Sequence, residues 1–233
     1  MHINRETKIR WLLLFLIGFL FFGIAFFFGN SWPELSQNDL LEDFKIQLSG
    51  SLVDESFYKE YSDNDLKKAE ITIIEDSSDL IIKGKVKNSY KVTDAACYYE
   101  IEVMKKYKGE EIPKIIRIYL PQRLMILQHL DYMGFSTIHS FVPLRENSEY
   151  ILFLEHLEMY EQLDKPEKLK HLYAPVFEGV IGVYDLGIEK TEAFPEEPLY
   201  FKELKRTQCV SSPNVEEINI YNTFLEQVKQ KYS

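Results

Sequence analysis

The chain has 233 residues and a net charge of -10, and it is 45% hydrophobic and 14% aromatic, which excludes a disordered polar chain and leaves material for one ordinary core. The first thirty residues carry three basic side chains and one acidic one, so the remainder holds 24 basic against 36 acidic residues, a net -12. That balance opposes sequence-independent attraction to nucleic acid or to an anionic membrane surface, which depends on clustered Lys and Arg.

The first element is WLLLFLIGFLFFGIAFFFG, Trp11 to Gly29, with no charge in 19 positions. As a helix it spans about 28 Å, the thickness of a bilayer's hydrocarbon core. Arg5, Lys8 and Arg10 precede it, while Glu34, Asp39, Glu42 and Asp43 follow. The expectation is a transmembrane helix over 11–29, a cytoplasmic N-terminus over 1–10 and an extracytoplasmic remainder at the cell membrane. Phe26, Phe27 and Phe28 close the run where a cleaved leader usually has small residues, which favours an uncleaved signal anchor; Gly29 and Ser31 keep a removed leader as the alternative.

Residues 30–65 read as a stalk or linker. Leu41, Phe44 and Leu48 recur at helical spacing with Asn38 as a candidate cap, and Gly50 among serines breaks the pattern. Residues 66–233 read as one extracytoplasmic domain. In SSDLIIKGKVKN, Leu80, Ile82, Gly84 and Val86 fall on one side of an extended chain and Ile81, Lys83, Lys85 and Lys87 on the other, a half-exposed strand. CYYEIEVMKKYKG sends Tyr99, Ile101 and Val103 one way and stops at Gly109; KIIRIYL aligns Ile116, Ile118 and Leu120 between Pro113 and Pro121.

PQRLMILQHLDYMG changes period. Leu124, Leu127 and Leu130 recur every three residues, with Pro121 suited to a first turn and Gly134 to a stop, which predicts a short helix. EYILFLEHL is apolar on both faces from Tyr150 to Leu154 and reads as a strand covered on each side. Tyr173 to Tyr184 reads as a further strand or hairpin bent at Gly179 and Gly182. At the C-terminus Ser212 is the expected N-cap and Pro213 the first helical residue, ahead of a stripe of Val215, Ile218, Tyr221, Leu225 and Val228 that packs a closing helix onto its own domain.

Strand, strand, strand, short helix, strand, strand is the order of an OB-like five-stranded Greek-key barrel, so the expected class is mainly β with α. At SDLIIKGKV, YYEIEVMKKYKG, IIRIYL and NSEYILFLE, within Asp79 to Glu155, the chain also resembles the netrin-like module of tissue inhibitors of metalloproteinases and bacterial exported proteins with a similar module. The resemblance implies an OB-like barrel. In those inhibitors an N-terminal cysteine chelates the target's zinc within a disulfide framework, and this chain has no matching residue. Fold similarity does not transfer the activity.

Signatures of chemistry are sparse. His129, His139, His156 and His171 are singly spaced, so no metal-type pair stands out and no cofactor is expected. The ten glycines form neither G-x-x-x-x-G-K nor G-x-G-x-x-G, and no G-x-S-x-G elbow occurs. Cys97 and Cys209 leave two readings open, one disulfide or two separate buried thiols. KNSYKV places Tyr90 and Lys91 in the expected loop between the first two barrel strands, as a candidate ligand loop, and Glu158 to Lys170 forms a polar connector. The expected function is a membrane-anchored, non-catalytic binding or assembly module with a protein partner at the cell surface and no nucleic acid. A membrane-tethered metal-dependent hydrolase and an inhibitor of an exported protease are the alternatives.

Overall fold

The structure, a computed structural model, describes residues 34–35, 45–47, 70–92, 97–127, 132–137, 140–157, 171–195, 197, 199–212 and 214–233. In chain order its elements are β1 (Glu34–Leu35), β2 (Lys45–Gln47), α1 (Thr72–Asp76), β3 (Leu80–Val92), β4 (Cys97–Lys108), β5 (Ile115–Leu120), β6 (Gln122–Leu127), β7 (Tyr132–Thr137), β8 (Glu149–His156), β9 (Leu172–Pro175), β10 (Val183–Asp185), β11 (Leu199–Tyr200) and α2 (Val215–Tyr232). Contacts divide the chain into Met1–Pro33 and Glu34–Ser233. The expected transmembrane run at 11–29 lies outside the described residues; among those described, no helix is long and apolar enough to cross a membrane.

Five strands close a barrel. The ring runs β3, β4, β5, β9, β8 and back to β3, with only the β5/β9 junction parallel. Long β3 and β4 bend around it, and their register shifts between Ile81 and Ile82, between Lys83 and Gly84, and between Val86 and Tyr90. Such irregularities increase twist and let a sheet curl onto itself. Gly84 meets a second need of the same curvature: a Cβ there would overlap Ile101 Cγ2. Beside the ring, β1 pairs with β3 and β10 with β8. A separate four-stranded sheet has the order β11, β2, β7, β6.

The strand alternation read from the sequence is realised. Leu80, Ile82, Val86, Tyr99, Ile101, Ile116, Ile118 and Leu120 are buried, while Lys83, Lys85 and Lys87 stay partly exposed. Ile81 is buried too, and β8 is buried from Tyr150 to Leu154, because α2 and neighbouring segments cover the barrel on that side. Phe153 meets the Tyr232 ring at 5.6 Å, Tyr184 stacks on Tyr221 at 5.2 Å, and Tyr221 donates to Val183 O at 2.6 Å.

Four expectations are corrected. The helix expected from PQRLMILQHLDYMG is a hairpin, with Gln122 opposite Thr137 and Leu127 opposite Tyr132. The three-residue leucine spacing fits either form, and β7's partner β2, remote in sequence, favours strands. Within the expected stalk, Glu34–Leu35 and Lys45–Gln47 are strands paired to β3, β7 and β11; Asn38, Leu41, Phe44 and Leu48 lie outside the described residues. The α2 cap is Asn214 instead of Ser212: Asn214 Oδ1 accepts from Glu216 N at 2.9 Å, while Ser212 Oγ accepts from Asn214 N and donates to Glu217 Oε2. Val215, expected in the packed stripe, is 63% exposed, and Phe224 and Tyr232 complete the stripe in its place.

Candidate functional site

A polar cluster gathers where β10 ends. Asp185 pairs with Tyr150 across β10 and β8, and its carboxylate is 2% exposed. Asp185 Oδ1 accepts from Gly187 N at 2.7 Å, the turn an Asp followed two residues later by Gly readily makes. Arg206 then grips the same carboxylate with both arms, Nε to Oδ2 at 3.1 Å and Nη2 to Oδ1 at 2.8 Å. Gly187 makes room for that grip, since a Cβ there would fall on the Arg206 guanidinium. The hydrogen bonds it donates to Asp185 hold Arg206 above its ordinary pKa.

Asp185 also lines a small cleft with apolar walls from Phe141, Val142, Val180 and Val183. Arg145 closes one side, donating from its backbone N to Tyr150 Oη at 2.9 Å and from Nη2 to Leu204 O at 3.0 Å. Burial lowers its pKa, and Tyr150 and Asp185 oppose the shift. At the other side Cys209 Sγ lies 2.8 Å from Thr191 Oγ1. Asn222 on α2 fixes Thr191, accepting from its N at 2.6 Å and donating to its O at 3.0 Å.

The chemistry of this cluster is conservative. Burial raises the Cys209 thiol to about 11, with only partial relief from Thr191, so at neutral pH it is protonated and a poor nucleophile. Cys97, at the start of β4 and fully buried, is raised further by the same cause. In the structure the two cysteines are free thiols in separate surroundings. Asp185 is neutralised by Arg206, and Tyr150 is pushed above its ordinary value by burial. The cluster binds β8, β10, α2 and the 204–209 segment together.

Tyr90 and Lys91 are not in a loop. Both lie in β3, Tyr90 opposite Tyr99 and Lys91 opposite Tyr98, and β1 pairs with them on the other side. The strand runs past its last alternating lysine because β1 supplies a partner that no local pattern announces. His156 ends β8, its N donating to Asp79 Oδ2 at 2.9 Å and its ring edge meeting Tyr173 at 5.3 Å. His171 accepts from Arg117 N through its carbonyl. His129, His139 and the connector from Glu158 to Lys170 lie outside the described residues. Among the described residues no three His, Cys, Asp or Glu converge as metal ligands.

Arg145, Asp185 and Arg206 were not singled out by the sequence. Only Asp185 has a local signal, the Asp-Leu-Gly turn; the arginines are brought in by tertiary contacts. No family model, curated protein or solved structure matches the chain.

Proposed function

We propose that this chain is a single-pass, membrane-anchored binding or assembly module whose acidic domain lies outside the membrane and recognises a protein partner at the cell surface. The observation that carries the reading is the uncharged run from Trp11 to Gly29, with basic residues before it and acidic ones after it. The closed five-stranded ring supports a rigid carrier, and its third and fifth barrel strands running parallel support the OB-like reading, with a β6/β7 hairpin where an OB-fold usually has a helix. The netrin-like resemblance over Asp79 to Glu155 belongs to the same reading and extends to the fold alone.

Protease accessibility tests it. With a tag after Ser233, externally added protease digests the domain in intact cells and leaves the N-terminal residues protected. Digestion only after lysis would sink the proposal.

A further inference from the structure

The outer face of β3, β4 and β5 differs in charge from the chain that carries it. On β3 the side chains of Lys83, Lys85 and Lys87 alternate with buried Ile82, Gly84 and Val86, so the lysines stand on the outside of the barrel. Register sets Lys85 opposite Glu102, Glu102 opposite Ile115, and Glu100 opposite Arg117. Three carboxylates serve this face: Glu149 pairs with Lys83 at 3.0 Å, Glu102 with Lys87 at 2.9 Å and Lys114 at 3.0 Å, and Glu100 with Arg117 at 3.2 Å. Lys85, opposite Glu102 on β4 and Glu149 on β8, makes no ion pair among the described residues because those carboxylates are taken by Lys87, Lys114 and Lys83, and Lys105 sits over the Tyr107 ring, 4.5 Å from its centroid. Lys83 is directly opposite Lys105, a like-charge cross-strand pair that disfavours the free sheet. A chain of net charge -10 thus concentrates positive charge on one face of its barrel.

The same face carries exposed apolar surface. Met104 is 50% and Ile115 46% exposed, and of the large hydrophobic residues exposed among those described only Val215 lies elsewhere. Tyr98 and Tyr119 pack edge to face at 5.8 Å at one end of the patch. Methionine, tyrosine and arginine are the types enriched in recognition surfaces, and lysines around them steer an oppositely charged partner.

From this we infer that the outer face of β3, β4 and β5 docks an acidic, partly apolar polypeptide segment of another protein. Positive charge alone would suit any polyanion, but a hydrated phosphate polymer gains nothing from Met104 and Ile115. A chain that interleaves Asp or Glu with apolar side chains satisfies both. The inference rests on the binding-module reading and gives it a surface and a class of partner.

Two measurements test it. In intact cells producing the full chain, a photo-crosslinking residue placed at Ile115 forms an adduct with a segment rich in Asp and Glu; one placed at Val215 forms none, and the Ile115 adduct is lost in Lys85→Glu/Lys105→Glu. Adducts only at Val215 would remove the face and leave a binding module standing. No adduct at either site would count against both readings, and a self-adduct at Ile115 would replace the acidic partner by a second copy. In vitro, the purified full chain in detergent binds a peptide of alternating Glu and Leu, and affinity falls about tenfold or more in the double variant and from about 50 to 200 mM salt. Lys85→Ala/Lys105→Ala, which introduces no new charge, shows a smaller loss in the same direction. Equally tight binding of inorganic polyphosphate, or an affinity indifferent to both variants, would overturn the assignment.

Discussion

At Asp185, a carboxylate almost closed to solvent depends on one guanidinium that is itself 45% exposed. Removing the cation leaves the acid with the Gly187 N–H and less than its full set of partners. Arg206→Ala should lower stability by about 2 kcal/mol, below the cost of breaking a fully buried pair because water reaches the arginine. Gly187→Ala should act in the same direction by displacing the guanidinium, and urea unfolding of the full chain in detergent measures both. An unchanged midpoint in both variants would mean that the pair contributes nothing to folding. The cysteines give a second residue-level expectation: two thiols titrate under denaturing, non-reducing conditions. In the folded chain, alkylation of Cys209 stays slow at pH 8 and accelerates only as pH approaches about 11. At this scale the sequence is nearly silent about the cluster, because Arg145 and Arg206 meet their partners Tyr150, Leu204 and Asp185 only through tertiary folding.

Elements were legible where a period and its punctuation agreed. Ile82 to Val86, Tyr99 to Ile101 and Ile116 to Leu120 alternate cleanly because one side of each faces the barrel interior. The β6/β7 hairpin was illegible because leucines three apart fit a helix and also occur in short strands, and the deciding partner β2 is far away in sequence. For α2, Ser-Ser-Pro-Asn announces a start without saying which residue caps it. Asn214→Ala should cost about 1 kcal/mol, read as a lower melting temperature. The other end of α2 is tied to α1: Lys231 lies 2.7 Å from the Glu75 carboxylate, Tyr232 Oη donates to it, and Tyr107 Oη donates to Tyr232 O at 2.6 Å. Burial alone would raise the Glu75 pKa, but the bonds from Lys231 and Tyr232 outweigh it and hold the group below its usual value. The stabilisation is therefore present above the unfolded carboxylate range, near pH 4.5, and is lost as pH falls through the lower folded value. Glu75→Gln should be less stable than the parent chain at pH 7, with the gap shrinking steadily below about pH 4. A gap independent of pH would exclude the charged tie.

For the molecule as a whole, barrel and helix share one core. Phe153, Tyr184, Tyr221 and Tyr232 join α2 to β8 and β10, so ending the chain after Ser212 uncovers aromatic surface that α2 normally shields. The shortened chain should lose cooperative thermal unfolding and bind a hydrophobic dye, whereas a sharp transition would make α2 an appendage. Gly84→Ala tests the interior of the ring: with Ile101 in the way, overpacking should cost about 1 to 3 kcal/mol. The five barrel strands and the barrel itself were expected from the sequence, but the parallel contact between β5 and β9 that closes the ring leaves no local trace of its own.

That parallel contact also dictates timing. Arg117 cannot meet Leu172 until the intervening chain has been made and arranged, whereas β3 and β4 are linked through a short connection and can pair early. During synthesis the barrel remains an open, curling ribbon until β9 emerges from the ribosome, and refolding should be limited by that late, entropically costly ring closure.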